Sequence, residues 1–477
     1  MTRGWRNDEQ GRWVSLRPVL SGLLVAGVVA ACGALADEIP SEPPAEIPAG
    51  SRLSDKPIPM ATELQRPKPL VEIGDHFLDT GKLQRGFQLP GGAIWQPSLL
   101  IFGNYRTAIQ TFNDVAPRVT EWANRLDVFA NLQLTGTERA IIGFRPIDNQ
   151  REYAGFQFEP DRGFKSVADG NVQVAFFEGN LREMIPDLDP KDTHALDYAF
   201  AVGRQPLLLQ DGILLNDTID AVGVVRNAVH TPWTSGLRLD AIYGWGHINR
   251  NDNLPDNSAQ LFALNAAADL YWTTMELDAI YVSADKKTGD GVYGGLSGIQ
   301  RVQLFGESIS TSFSIDGSYA LDHQTPAVSD GVLFYGEMGR SPKGTPDWMY
   351  VDAFWGIDKF SSAAREEDAG GPLGRTGILF EALQLGHYGA PLGNRANDAF
   401  GGSVGYQMFW DLFRRQLILE LGGRHDNSSS GFDAFGVGGR LQQAFGRHLI
   451  LGADAFVAAI ANHAPGYGAR SEAQIKF

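Results

Sequence analysis

The chain has 477 residues, 40 basic against 56 acidic, 56 glycines, one cysteine and 10% aromatic residues. That length allows two or three soluble domains or one large barrel. An acidic balance disfavours nucleic acid as a partner. No segment after the N-terminal region holds about 18 continuous apolar residues, which argues against a helical membrane protein.

The first 36 residues read as a secretory signal peptide. Arg3, Arg6, Arg12 and Arg17 precede an apolar run from Val19 to Ala31, and Ala34-Leu35-Ala36 places small residues before a cleavage point. Val29-Ala30-Ala31-Cys32 offers an alternative, a lipoprotein box with Cys32 as the lipidated residue. Cleavage after Ala36 removes the only cysteine, leaving no disulfide and no thiolate chemistry. Residues 37–96 then form a linker and lead-in, and eight of the 25 prolines fall between Asp37 and Leu70.

From residue 97 the chain becomes a series of period-two segments. In Glu121 to Leu134, Trp122, Leu126, Val128, Ala130 and Leu132 share one phase, and Arg125, Asp127, Asn131 and Gln133 the other. The same alternation marks 237–245, 275–281, 309–321, 349–357 and 449–457. It predicts strands over 98–112, 121–135, 138–146, 171–178, 197–206, 219–227, 235–247, 259–271, 273–285, 294–306, 309–322, 331–340, 347–360, 398–409, 416–426, 432–445, 448–460 and 466–477. Soluble antiparallel sheets alternate too. Here, however, the apolar phases are long, often end in aromatic residues, and recur without helical interruption to the C-terminus. The fold class expected is all-β, a transmembrane antiparallel barrel of about 18 strands, with 16 as the alternative count. The chain ends on Ala473, Ile475 and Phe477 alternating with polar residues, a closing strand with a terminal aromatic. The longer connectors, 361–397 and 286–291, are expected outside the cell. The short ones, at 411–414, 446–447 and 272, are expected in the periplasm. The side of 178–194 is left open.

The stretch Tyr198 to Asn227 is the most informative. Val202-Gly203-Arg204-Gln205 ends a strand. Asp211-Gly212-Ile213-Leu214-Leu215-Asn216-Asp217 follows, and Thr218-Ile219-Asp220-Ala221-Val222 opens the next. This stretch resembles the alginate-export family of outer-membrane porins over about 30 residues. The resemblance implies an 18-strand barrel whose arginine-lined lumen conducts a polyanionic polysaccharide, with the Gly203–Asp220 hairpin as a constriction or rim. On that basis and on strand position, the candidate pore-lining or constriction residues are Arg125, Arg145, Arg204, Gln205, Asp211, Asp220, Arg226, Arg238 and Arg301. Strand arginines are costly in lipid, which favours lumen or rim. They would either bind anions in steps or pair with strand carboxylates such as Asp127, Asp240, Glu276, Asp278, Asp316 and Asp352 in a structural network. The many acidic residues set this chain apart from a polyanion exporter.

Enzyme chemistry has little support. The nine histidines are scattered singly, His425-Asp426-Asn427-Ser428 reads as a polar strand end, and no metal or cofactor motif occurs. The function expected is a passive channel for small solutes or saccharides, anionic ones included. A barrel that binds or assembles extracellular or periplasmic partners is the alternative, with a barrel hydrolase behind it. The partners expected are outer-membrane lipid, a small solute or saccharide, and the barrel-assembly machinery through Phe477.

Overall fold

A computed structural model describes residues 67–74, 85–113, 117–149, 152–191, 193–304, 306–427 and 432–477. The signal-peptide and lipoprotein readings, and the proline-rich stretch to residue 66, lie outside the described residues.

Eighteen antiparallel strands form the wall. They are β1 (Ser98–Asn113), β2 (Val119–Gln133), β3 (Arg139–Phe144), β4 (Val172–Asn180), β5 (Tyr198–Leu209) and β6 (Leu215–Arg226). Next come β7 (Gly236–Gly246), β8 (Gln260–Asp269), β9 (Thr273–Ser283), β10 (Gly291–Leu304), β11 (Glu307–Ala320) and β12 (Gly331–Arg340). The last six are β13 (Trp348–Asp358), β14 (Ala399–Trp410), β15 (Arg415–Asp426), β16 (Ala434–Phe445), β17 (Leu449–Ile460) and β18 (Gly466–Lys476). Each pairs with its sequence neighbours, and β18 pairs with β1 from Tyr467↔Asn113 to Lys476↔Asn104. The sheet is therefore closed, which leaves no open edge. Phe477 completes the seam: Gly103 N donates to its carbonyl at 2.7 Å, and its own N–H donates to Gly103 O at 3.0 Å. Below that point the short strand Val71–Ile73 pairs with Leu99–Ile101 and continues the wall.

The alternation in sequence becomes an apolar outside and a polar inside. Leu264, Leu277, Leu296 and Ile315 are exposed at mid-wall. Trp245, Phe262, Tyr281, Tyr319, Phe334, Trp355, Phe400 and Phe435 stand exposed towards one rim; Tyr271, Trp272, Trp410 and Phe413 stand exposed at the other. An apolar belt between two aromatic girdles matches a bilayer. Among the described residues no helix is long and apolar enough to cross a membrane. Strand direction puts the turns at 411–414, 446–447 and 270–272 on the rim that carries Phe477. The connector 181–197 lies on that rim too, and holds a one-turn helix, Leu181–Met184, capped by the Asn180 side chain accepting from Arg182 N.

Two segments leave the wall for the lumen. β5 pairs with β4 only up to Arg204↔Ala175, and β6 with β7 only from Asp220↔Gly246, where the register shifts. Beyond these points the two strands pair with each other, from Gln205↔Ile219 to Leu209↔Leu215. Gly203 sits at the departure with φ +121°, and a Cβ there would lie 2.3 Å from Ala175 O, so only glycine allows the bend. The hairpin lays Leu209, Ile213, Leu214, Leu215 and Ile219 against Leu261, Ile280, Val282 and Tyr293 of the inner wall. The strand expected to end at residue 206 thus runs on to Leu209.

The second segment corrects an expectation. Residues 361–397, read as an extracellular loop, fold back into the barrel. Leu373, Leu379, Phe380, Leu385 and Leu392 are all buried there. Apolar burial, with wall carboxylates as anchors, outweighs exposure to solvent.

Deleting Phe477 removes both backbone bonds to Gly103, a loss of about 1–3 kcal/mol from closure. The amount of folded, heat-modifiable barrel in outer-membrane fractions is expected to fall while transfer across the inner membrane is unchanged. Equal amounts of the folded truncated and full-length proteins would refute the seam role.

Candidate functional site

The inserted loop is pinned at two buried carboxylates on opposite sides of one arc of wall. On β2, Glu121 accepts from His387 N at 2.5 Å, from His387 Nδ1 at 2.8 Å and from Gln110 Nε2 at 2.7 Å. On β15, Glu420 accepts from Ile378 N at 3.0 Å, Leu379 N at 2.9 Å and the Tyr350 hydroxyl. Between β2 and β15 lie β1, β18, β17 and β16, so residues 378–387 cross the lumen in front of those four strands. Secondary ties hold the path: Gln110 Nε2 to Leu385 O at 2.9 Å, Arg125 Nη1 to Gln384 O at 2.9 Å, and Arg424 Nη1 to Leu392 O at 3.2 Å. Gly386 has φ +64°, and a Cβ there would sit 2.2 Å from Glu121 Oε1, which reserves the position for glycine.

Hairpin and loop are locked together by Arg365. It is buried and donates to the carbonyls of Gly212, Ile213 and Gly371 and to Ser362 Oγ. Burial, with Arg395 nearby, pushes its pKa down to about 9 against the pull of Asp217, so it remains a cation at neutral pH. Alongside it, Leu215 and Asn216 pair in parallel with Ala364 and Arg365. At the hairpin tip Gln210 Nε2 donates to Asp278 Oδ2 at 2.6 Å, and Asp211 bonds Arg375 of the loop.

What remains between these segments and the wall of β16, β17, β18 and β1 is a polar chamber of about 450 Å³. The wall contributes Arg106, Arg440, Asp454 and Glu472; the inserted segments contribute Asp211, Arg375, Glu381 and Gln384. Apart from Arg365, whose guanidinium is held by backbone carbonyls, its charged groups are paired with opposite charges. Arg106 bonds Glu472 at 2.5 Å, and Arg440 bonds Asp454 at 2.5 Å and Glu381 at 2.7 Å. Among the described residues no group of three or more His, Cys, Asp or Glu side chains is arranged to hold a metal ion.

The residues singled out from sequence fall in several places. Asp211 lines the chamber. Arg125 and Arg145 lie beside it under the loop: Arg125 pairs with Asp127 at 3.0 Å, and Arg145 with Asp127 at 2.9 Å and Asp368 at 3.5 Å. Arg204 and Asp220 form a two-pronged pair at 2.8 and 3.0 Å where the hairpin leaves the wall, and Arg204 Nη1 also donates to Val172 O. Gln205 is buried on the hairpin and donates to Ala221 O. Arg238 faces the lumen further along the wall, 3.1 Å from Asp240. Arg301 shares the phase of Tyr293 and Gly295 near the end of β10, in an exposed position. Arg226 lies away from the chamber, at the rim, with its guanidinium over the Tyr198 ring and donating to His194 O.

The chamber also contains residues that sequence reading did not select: Arg106, Arg375, Glu381, Arg440, Asp454 and Glu472. Arg375 and Glu381 sit in a segment without alternation. The rest occupy the polar phase of β1, β16, β17 and β18, and that phase was the available signal.

No sequence-family model matches the chain, and no curated protein matches it. Solved structures match it in fold. A BenF-like porin from Pseudomonas fluorescens Pf-5 is 10% identical, with 80% of this chain and 98% of that one covered and a TM-score of 0.55. OccAB3 of Acinetobacter baumannii is 11% identical over 80% and 99%, with a TM-score of 0.54. OccK2 (OpdF) of Pseudomonas aeruginosa is 11% identical over 80% and 97%, also at 0.54. The fold is that of an outer-membrane β-barrel. These likenesses run along nearly the whole of each neighbour, so they concern the barrel itself and not one motif.

Replacing Glu121 by Ala removes the acceptor of three hydrogen bonds from His387 and Gln110, a loss of about 3 kcal/mol at roughly 1 kcal/mol per bond. Hydrogen-exchange protection of amides 378–392 is expected to fall about 100-fold or more while the wall strands keep theirs. Gly386→Ala should act in the same direction. Unchanged protection in both variants would show that the loop is held by its apolar contacts alone.

Proposed function

We propose that this chain is a passive outer-membrane channel for small hydrophilic solutes. The observation that carries the reading is the polar chamber left between the inserted segments and the β16–β1 wall. A barrel of 18 strands is too wide for its own side chains to fill. Here two segments narrow it to a space within the roughly 300–1,000 Å³ of typical small-molecule sites. Charged and amide side chains around that space can exchange hydrogen bonds with a hydrated solute without covalent chemistry.

The alginate-export resemblance asks for more, a run of guanidinium groups free to pass a polyanion along. In this lumen Arg106, Arg125, Arg145, Arg204, Arg375 and Arg440 are all committed to carboxylates. We therefore place the substrate among small solutes, monosaccharide-sized molecules included, and not among polysaccharides. The porin-like fold neighbours support the general reading. Lipid surrounds the wall in this proposal, and Phe477 is the contact offered to the assembly machinery.

Planar-bilayer recording on the purified full chain tests the proposal. Stable single-channel currents are expected, together with faster swelling of proteoliposomes in monosaccharide than in oligosaccharide solutions. A barrel that carries no current and admits no sugar would be closed by its inserted segments, and the partner-binding alternative would then take precedence.

A further inference from the structure

The ion pairs around the chamber are unequal in what they show to a solute. Arg375 lies between two carboxylates, Asp211 and Glu337, the second at 3.2 Å. Arg440 likewise lies between Asp454 and Glu381. Each inserted segment thus brings a carboxylate to a guanidinium that already has one on the wall. On the adjoining strands β18 and β1 the order is reversed, because Arg106 and Arg470 share Glu472, each at 2.5 Å. Arg470, however, is buried behind that carboxylate. Arg365 is spent on backbone carbonyls.

Exposure follows the same division. The Asp211 and Glu381 side chains are 52% and 41% exposed, against 26% for Arg375, 21% for Arg106 and 13% for Arg440. Asp211 occupies the left-handed region, φ +51° and ψ 30°, at the hairpin tip, a conformation that aspartate tolerates better than most residues. Its carboxylate is therefore presented from a tip that is itself anchored by Gln210 and Arg365. Asp211 and Glu381 are thus more exposed to a solute in the chamber than the guanidiniums they pair with, whereas Arg106, at 21%, is slightly more exposed than its partner Glu472, at 16%. Coulomb energy falls with distance, and the nearer charge dominates the field that a partly dehydrated ion feels.

From this arrangement we propose that Asp211 and Glu381, one on each inserted segment, make the passage selective for cations, and that its favoured organic solutes carry an ammonium or guanidinium group. The proposal rests on the reading of the barrel as a channel. It assigns the selectivity to two carboxylates, where the strand arginines singled out from sequence pointed to anions.

The test is the reversal potential of the reconstituted full-length barrel across a KCl gradient, followed by replacement of K⁺ with ethylammonium and of Cl⁻ with propionate. A cation-over-anion permeability ratio of about threefold or more is expected, with ethylammonium carried and propionate nearly excluded. The double variant Asp211→Asn with Glu381→Gln should bring the ratio close to one, and Asp211→Glu should retain it. Heat-modifiable mobility on gels confirms that each variant is folded. If the double variant fails to fold, Glu381→Gln alone, which leaves the hairpin contacts in place, is expected to lower the ratio by about half. Anion preference in the wild type, or an unchanged ratio in folded variants, would overturn the selectivity and leave the channel standing. Absence of any current would overturn both.

Discussion

Lipid offers the backbone no hydrogen bonds, and that constraint organises the molecule. Every amide and carbonyl in the wall needs a partner on an adjacent strand, so the sheet must close on itself. Closure is made at one seam, where β18 meets β1 and Phe477 exchanges two backbone bonds with Gly103. The short strand Val71–Ile73 then covers the part of β1 that β18 does not reach. The outward apolar phase and the two aromatic girdles follow from the same surroundings, since only side chains that lipid and headgroups accept can face out.

Closure with 18 strands creates a second problem. The enclosed space is wide, and its inner face carries Glu121, Asp278, Asp316, Asp352, Glu420 and Arg470, all buried. Charges and dipoles in such a place are stable only with partners. Part of the answer lies in the wall, as in the Arg106–Glu472 and Arg440–Asp454 pairs. The rest is supplied by chain folded inward. Glu121 and Glu420 take up the N–H groups of the long loop, and Asp278 takes up the amide of Gln210. A polar interior and an inserted backbone thus satisfy each other. The cost of burying carboxylates is offset by the ordering of a loop that narrows the passage.

This coupling also sets the electrostatics. Because the inserted segments bring their own acidic residues, the lumen is not a plain arginine-lined conduit. Arg375 and Arg440 act as bridges between wall and insert. Of the two bridges, the insert carboxylates Asp211 and Glu381 are more exposed than their guanidiniums, a consequence of which chain segment approaches which wall strand.

The wall was legible in the sequence by itself. A strand's side chains alternate with period two, so a polar-apolar rhythm such as Leu126, Val128, Ala130 and Leu132 against Arg125, Asp127, Asn131 and Gln133 reports one face in lipid and one in a wet lumen, whatever its neighbours are. The strand positions, the closing strand and the resting of the short turns on one rim followed from that local rule. The inserted elements did not. Residues 359–398 lack any alternation, and their burial depends on Glu121 and Glu420, which lie far away in sequence. For the β5–β6 hairpin the resemblance pointed to a constriction or rim, but its tip runs apolar at Leu207–Leu209 and Ile213–Leu215, and the loss of wall pairing beyond Arg204 and Asp220 is what shows that it turns inward. The chamber residues come from β1, β16, β17 and β18 and from both inserts. Closure of the barrel brings them together, and no local pattern records a contact made only when the ring is complete.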